Sequence, residues 1–404
     1  MNSIFLKFYP IFIIILIINL RNTVADIFIP GVTSIDYAII LRASLFVLLG
    51  AISYYRLLKS KININEVEVL FLIYLAYCFL STLYSGSPIS TFVACFELAV
   101  LYLMIKDFSI TYGKFSFLMM AQQHSYFIIF VAIVLFFQVD FLTSLNTESF
   151  TSVYSTEIAA QTYAPLVFLK NNPSKMASIA LMAFIFFFFS KKKSLLILPM
   201  LYMIVLAQSR TIFFTSLLMI LFYFFGNRYK TFIIFLLASF VMLVFNFEEI
   251  FTLFFQSSYL SRGEELSYFL EGNARFELWE KSIEYTLESP IFGIGFNNSP
   301  FLEDPQFYFT KGSHSFYLSL LLYNGIIGFL GFAYMVFKLI KNILKIRSDE
   351  IRNIFLAILL STFINGLVGD ELSSSRPIYM TYFIYIIINY DQYRYKNKLL
   401  ENYI

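Results

Sequence analysis

Long apolar stretches, separated by short polar connections, recur along this chain from one end to the other. Runs long enough to cross a bilayer lie near 5–20, 37–55, 67–84, 89–105, 117–138, 176–190, 194–208, 211–225, 231–247, 315–338, 351–368 and 377–390. The pattern predicts an all-α, polytopic integral membrane protein with about 12 transmembrane helices. The first run has a second reading as a signal sequence, because Thr23-Val24-Ala25 resembles a cleavage site.

Cations set the expected orientation, since Lys and Arg accumulate in cytoplasmic connections. With a cytoplasmic amino terminus, the inner connections carry Arg56, Lys59 and Lys61, then Lys106 and Lys114, Lys191 to Lys193, and Arg228 with Lys230. Lys338, Lys341, Lys345, Arg347 and Arg352 follow, and both termini fall inside. Two polar connections then lie outside, near 139–175 and 248–313. The expected organisation is 1–247 as nine helices, 248–313 as a long periplasmic loop subdomain, and 314–404 as three helices with a cytoplasmic tail.

Composition agrees with a lipid environment. Hydrophobic residues make up 59% of the 404 and charged residues 14%, against roughly 25% charged in soluble domains. A net charge of +3 gives no footprint for nucleic acid. Cys78 and Cys95 both sit in apolar runs and read as small buried hydrophobes rather than a disulfide or metal site. The loop from 246 to 313 holds eleven acidic residues against Arg262, Arg275, Lys281 and Lys311. Within it, Ala274 to Ile283 has helical periodicity that puts Phe276, Trp279 and Ile283 on one face. Glu288-Ser289-Pro290 ends that helix before Gly293-Ile294-Gly295.

Few residues are equipped for chemistry. Arg210, in Gln208-Ser209-Arg210-Thr211, stands between two apolar runs; it reads either as an interfacial anchor or as a guanidinium clamp for phosphate. Arg275 reads as a surface charge or, in its acidic loop, as a second anion ligand. His314 lies at the outer mouth of the tenth span, and a neutral imidazole there can accept a proton from a hydroxyl. Its plainer reading is a polar residue at a helix start capped by Ser313. His124, after Gln122-Gln123, reads as an interhelical hydrogen-bonding residue. Arg42 is a secondary candidate within the second span, and Arg376 reads as an ion-pair partner of Asp370 and Glu371 or as a phosphate contact. Walker-type loops, His-Glu-x-x-His, Gly-x-Ser-x-Gly and Asp-x-Asp are all absent from the sequence, which argues against a metal-bound nucleotide sugar as donor.

Four segments together resemble the O-antigen polymerase and O-antigen ligase superfamily of bacterial membrane glycosyltransferases. They are Asn171-Asn172-Pro173-Ser174-Lys175-Met176-Ala177; Ser209-Arg210-Thr211; Arg275 through Trp279 with Pro290-Ile291-Phe292-Gly293-Ile294-Gly295-Phe296; and His314-Ser315-Phe316-Tyr317-Leu318 with Gly325-Ile326-Ile327-Gly328. The chain departs from the family pattern at Ser174, where asparagine is commoner. It departs again at Tyr323-Asn324, where a carboxylate often precedes the Gly-Ile-Ile-Gly run.

The resemblance implies transfer of an undecaprenyl-diphosphate-linked glycan to a hydroxyl on the periplasmic side of the inner membrane, with no cofactor and no metal. Arg210 and Arg275 would hold the diphosphate, His314 would act as base, and Ser209, Trp279 and Arg376 would line the substrate site. The expected partners are the lipid-linked oligosaccharide, the bilayer and a chain-length regulator protein. Phe-, Ile-, Asn- and Lys-rich usage favours the polymerase over the ligase that acts on lipid A–core. A lipid-linked oligosaccharide flippase is the rival from another class, but it would concentrate charge deep in the helices.

Overall fold

The computed structural model describes residues 37–136, 173–190, 195–206, 209–226, 275–298, 313–367 and 377–393, with 228–229, 231–232, 234–235, 300 and 369. Among these, every regular element is helical. In chain order they are α1 (Tyr37–Leu58), α2 (Glu66–Leu80), α3 (Pro88–Tyr112), α4 (Ser116–Phe136), α5 (Pro173–Phe189) and α6 (Ile197–Leu206). Then come α7 (Arg210–Phe225), α8 (Arg275–Glu288), α9 (Phe316–Ile343), α10 (Asp349–Gly366) and α11 (Pro377–Asn389). The expected apolar runs reappear with ends displaced by a few residues. The run near 5–20 lies outside the described residues, as does most of that near 231–247. Among the described residues, three helices are long and apolar enough to cross a membrane: Glu66–Leu83 (α2 with a short 3-10 turn), α3 and α9.

The chain divides into two compact units, residues 1–123 with 275–404, and residues 124–274. In the second unit α5 meets α7 through aromatic side chains. Tyr223 stands edge-on to Phe188 at 4.9 Å and to Phe189 at 5.4 Å between ring centroids, a geometry that aligns ring edges with ring faces.

The first unit is organised by polar groups at one end of its helices. Asn65 and Glu68 form a capping box that opens α2: the Asn65 carbonyl oxygen accepts from the Glu68 amide at 2.9 Å, and Glu68 reaches back to the Asn65 amide at 3.4 Å. The Asn65 amide group also donates to the Ile387 carbonyl of α11 at 2.8 Å. Fully buried Glu68 pairs with Lys106 of α3 at 2.6 Å and accepts from Tyr102 at 2.6 Å, while Lys106 also donates to the Asn63 carbonyl at 2.7 Å. Beside them Arg56 of α1 pairs with buried Asp107 at 3.3 Å and donates to Thr111 at 2.6 Å. Ser109 bonds Asn389, joining α3 to α11 as well.

One sequence assignment changes here. Lys106 is not a loop cation contributing to orientation: α3 runs on to Tyr112, and Lys106 is an internal, ion-paired residue of that helix. Both cysteines are buried and free, as the apolar runs around them imply.

A buried pair is costly to break on one side, by about 3–5 kcal/mol. Lys106→Met should therefore strand Glu68 and lower the unfolding midpoint of the detergent-solubilised protein sharply. Adding Glu68→Leu should restore most of the loss. Equal midpoints for wild type and Lys106→Met would contradict this role for the pair.

Candidate functional site

Helix α9 is interrupted. Gly325 has φ 58° and ψ −169°, a conformation essentially confined to glycine. Such a break leaves carbonyls above it and amides below it without helical partners, and in an apolar setting they need others. The turn after α8 supplies them. The Ile294 and Gly295 amides donate to the Leu322 and Tyr323 carbonyls, each at 3.0 Å. In the opposite sense, the Ile326 and Ile327 amides donate to the Pro290 and Ile291 carbonyls at 2.9 and 3.3 Å.

The two sequence segments Pro290–Phe296 and Gly325–Gly328 are thus two halves of one junction. Their glycines explain the closeness: a Cβ on Gly293 would lie 2.6 Å from the Gly325 amide nitrogen, and one on Gly325 would lie 2.6 Å from that of Gly293.

The C-terminal end of α2 holds the junction from the side. Tyr77 donates to the Asn324 carbonyl at 2.7 Å, and Tyr84 donates to the Phe292 carbonyl at 3.0 Å. Burial raises the pKa of the Tyr84 phenol, which keeps it a donor. Ser81 accepts from the Phe296 amide at 2.9 Å. The Asn324 side chain, buried, donates to Tyr74 at 3.1 Å and accepts weakly from Cys78 at 3.8 Å. Asn324 therefore serves as a neutral hydrogen-bonding centre in the position where the family pattern more often has a carboxylate nearby.

Two of the sequence candidates lie on the helix that leads into the junction. Arg275 opens α8 and Trp279 lies one turn on, its ring edge-on to Phe276 at 5.5 Å. Leu278 packs with Leu322 and Tyr323 of α9, and Tyr285 and Ile294 close around them. The buried side of α8 carries Leu278 and Ser282, whereas Phe276 and Ile283 of the apolar face read from the periodicity are 56% and 49% exposed.

His314 precedes α9 in the same unit and has a φ of 53°, rare for a residue with a Cβ. Its neighbours fix that turn. Buried Ser313 donates to the Ser315 carbonyl at 2.7 Å, receives the Ser315 amide at 3.2 Å and bonds Ser319 at 2.9 Å. The Phe316 amide donates to the Gly369 carbonyl at 3.0 Å. Ser315 rather than Ser313 is the N-cap residue, so the expected cap is displaced by two positions. A left-handed residue between two buried, hydrogen-bonded serines is a strained position that its surroundings maintain.

Ser209 is the buried N-cap residue of α7, and Arg210 opens that helix, both in the second unit. Arg376, Asp370 and Glu371 lie outside the described residues. Arg42 is in α1, and His124 is fully buried in α4, as an interhelical residue would be. The cavity beside the junction, lined by Tyr74, Phe296, Ser319, Tyr323 and Asn324 among others, measures about 20 Å³. It would hold a water and no sugar. Sequence reasoning missed Tyr77, Tyr84, Ser81 and Ser319. The first three lie in an ordinary-looking span end, and only the complementary glycine segments hint that something must pair with them.

These features define a helical membrane protein in which a short amphipathic arm is spliced into a broken spanning helix beside a strained histidine. Residues 195–333 match the family model for O-antigen ligase, which supports the O-antigen ligase and polymerase superfamily. The matched segment contains Arg210, Arg275, Trp279, His314 and the Gly325–Gly328 run, and stops short of Asn171–Ala177 and Arg376. No curated protein matches the chain.

Two substitutions probe this geometry. Gly325→Ala should cost at least about 1–3 kcal/mol from backbone strain alone, and more from the clash with Ile291, so that little folded protein is recovered in detergent. His314→Gly should be more stable than His314→Ala by about 1 kcal/mol, because glycine carries no left-handed penalty. Equal midpoints for the two histidine variants would show that the turn is unstrained.

Proposed function

We propose that the protein is a polysaccharide polymerase of the O-antigen or capsule type. It transfers an undecaprenyl-diphosphate-linked glycan to a sugar hydroxyl of a second lipid-linked repeat unit, on the periplasmic side of the bacterial inner membrane. The observation that carries this reading is the matched segment 195–333, which gathers Arg210, Arg275 and His314 and includes the junction that ties the α8 arm to the His314-bearing helix. An O-antigen ligase/polymerase-type activity accounts for that segment, and the succession of apolar runs with its bias of cations supports about twelve spans with both termini cytoplasmic.

In the proposed mechanism the His314 imidazole takes the proton of the attacking hydroxyl. The oxygen bonds to the anomeric carbon as the bond to the diphosphate oxygen breaks, inverting that centre. Undecaprenyl diphosphate leaves with its negative charge met by the Arg210 and Arg275 guanidinium groups, whose fixed positive charge favours the developing anion. Trp279 offers an aromatic face to a sugar ring, and Ser209 and Arg376 complete the substrate contacts. The chain-length regulator is a further partner in this scheme. The O-antigen ligase description of the matched family favours a second reading, in which the acceptor is lipid A–core.

Envelope glycans of a deletion strain separate these readings. A single repeat capping lipid A–core identifies the polymerase; an uncapped core, with long glycan left on the carrier, identifies the ligase. Complementation with Arg210→Ala, Arg275→Ala or His314→Ala should each lower transfer by about 100-fold or more. A glycan ladder unchanged by the deletion contradicts both readings.

A further inference from the structure

Helix α8 has three faces rather than two. Leu278 and Ser282 are buried against α9. Glu277, Glu280, Glu284 and Glu288 form an exposed acidic row, with Lys281 paired to Glu284 at 2.7 Å. Between these faces runs a stripe of Phe276, Ile283 and Leu287, spaced seven and four residues apart and therefore nearly in line along a helix. All three are exposed, Leu287 to 71%. A helix in water has no reason to turn such a stripe outward.

The stripe does not stand alone. It continues into Ile291 and Phe292 of the turn, also exposed, and the Ile291 carbonyl receives the Ile327 amide of α9. Ile326 and Ile327 are exposed on a helix long and apolar enough to span a membrane, and so is Leu83 at the end of α2, next to the tyrosine that holds Phe292. Exposed apolar side chains therefore follow one another from the arm through the turn to two helices of membrane-crossing length.

We propose that α8 is an interfacial helix: its Phe276–Ile283–Leu287 stripe is immersed in the hydrocarbon of the membrane leaflet at the His314 end, and its acidic row faces water. The occupant of the stripe is bilayer lipid. An apolar stripe beside a polar row is the pattern of helices that lie in a membrane surface. Most such helices carry cations on the polar face, whereas this one carries acids. Its attachment accordingly draws on apolar burial and on the hydrogen-bonded junction with α9, with no contribution from anionic headgroups. The arm then holds Arg275 and Trp279 at headgroup depth, whatever the acceptor of the reaction.

Trp279 is the sole tryptophan of the chain and touches Phe276, so its fluorescence reports the depth of α8 with no added probe. The full-length protein is reconstituted in zwitterionic phospholipid vesicles with acyl chains brominated near the carbonyl end or near the methyl end. The expected result is roughly twofold or greater quenching by bromine near the carbonyl end, less by bromine near the methyl end, and little by aqueous iodide. Leu287→Asp, at the most exposed stripe position, should weaken the bromolipid quenching and admit iodide. His314→Ala should leave both unchanged, which separates this result from failure of the transfer reaction.

Strong iodide quenching with no effect of brominated lipid would overturn the proposal. So would bromolipid quenching that is abolished by one equivalent of undecaprenyl phosphate, since the stripe would then belong to a carrier chain.

Discussion

Four backbone hydrogen bonds at Gly325 tie the α8 arm to the helix that follows His314. A spanning helix can be broken only where something else answers its exposed carbonyls and amides. Here the answer comes from Pro290 to Gly295. The exchange is reciprocal, two bonds in each direction, so neither segment can take this conformation without the other. Every residue of the α8 arm inherits its position from that junction, and the tyrosines at the end of α2 hold it from the side.

The opposite end of the same helices is fixed by different means. Glu68, Lys106, Tyr102 and Asn63 satisfy one another within the helix packing, and the capping box of α2 is tied to α11 by the Asn65 side chain. Buried charges are tolerable only when paired and hydrogen-bonded, and this group meets both conditions. Lys338 of α9 meets Glu66 at the start of α2 at 2.8 Å, so α2 and α9 run antiparallel between this ion pair and the junction. A break placed partway along α9 is thereby held in register from both ends.

Much of the helix order was legible from hydropathy alone, because an apolar run between polar punctuation has few other meanings. What stayed hidden depends on partners distant in sequence. The run containing Gly325 reads as an unbroken span, since Ile326 and Ile327 are as apolar as a helix requires. Only the glycines of the Pro290–Gly295 turn, which must approach another backbone, hint at the interruption. Which face of α8 packs inward stayed hidden for a related reason. Phe276, Trp279 and Ile283 do share one side, but periodicity cannot tell a core from a lipid surface when both are apolar. The deepest polar contacts, such as Lys106 with Glu68, were invisible because a lysine near the end of an apolar run looks like a loop cation.

Hydrogen–deuterium exchange at the junction tests this account most directly. The amides of Ile294, Gly295, Ile326 and Ile327 are measured in the reconstituted protein, resolved on short overlapping peptides. All four should exchange as slowly as the interior of α9, and Tyr77→Phe should speed them together because it removes the bond to the Asn324 carbonyl. Exchange of Ile294 and Gly295 at the rate of an open loop, with Ile326 and Ile327 still protected, would mean that the turn is not docked in the broken helix.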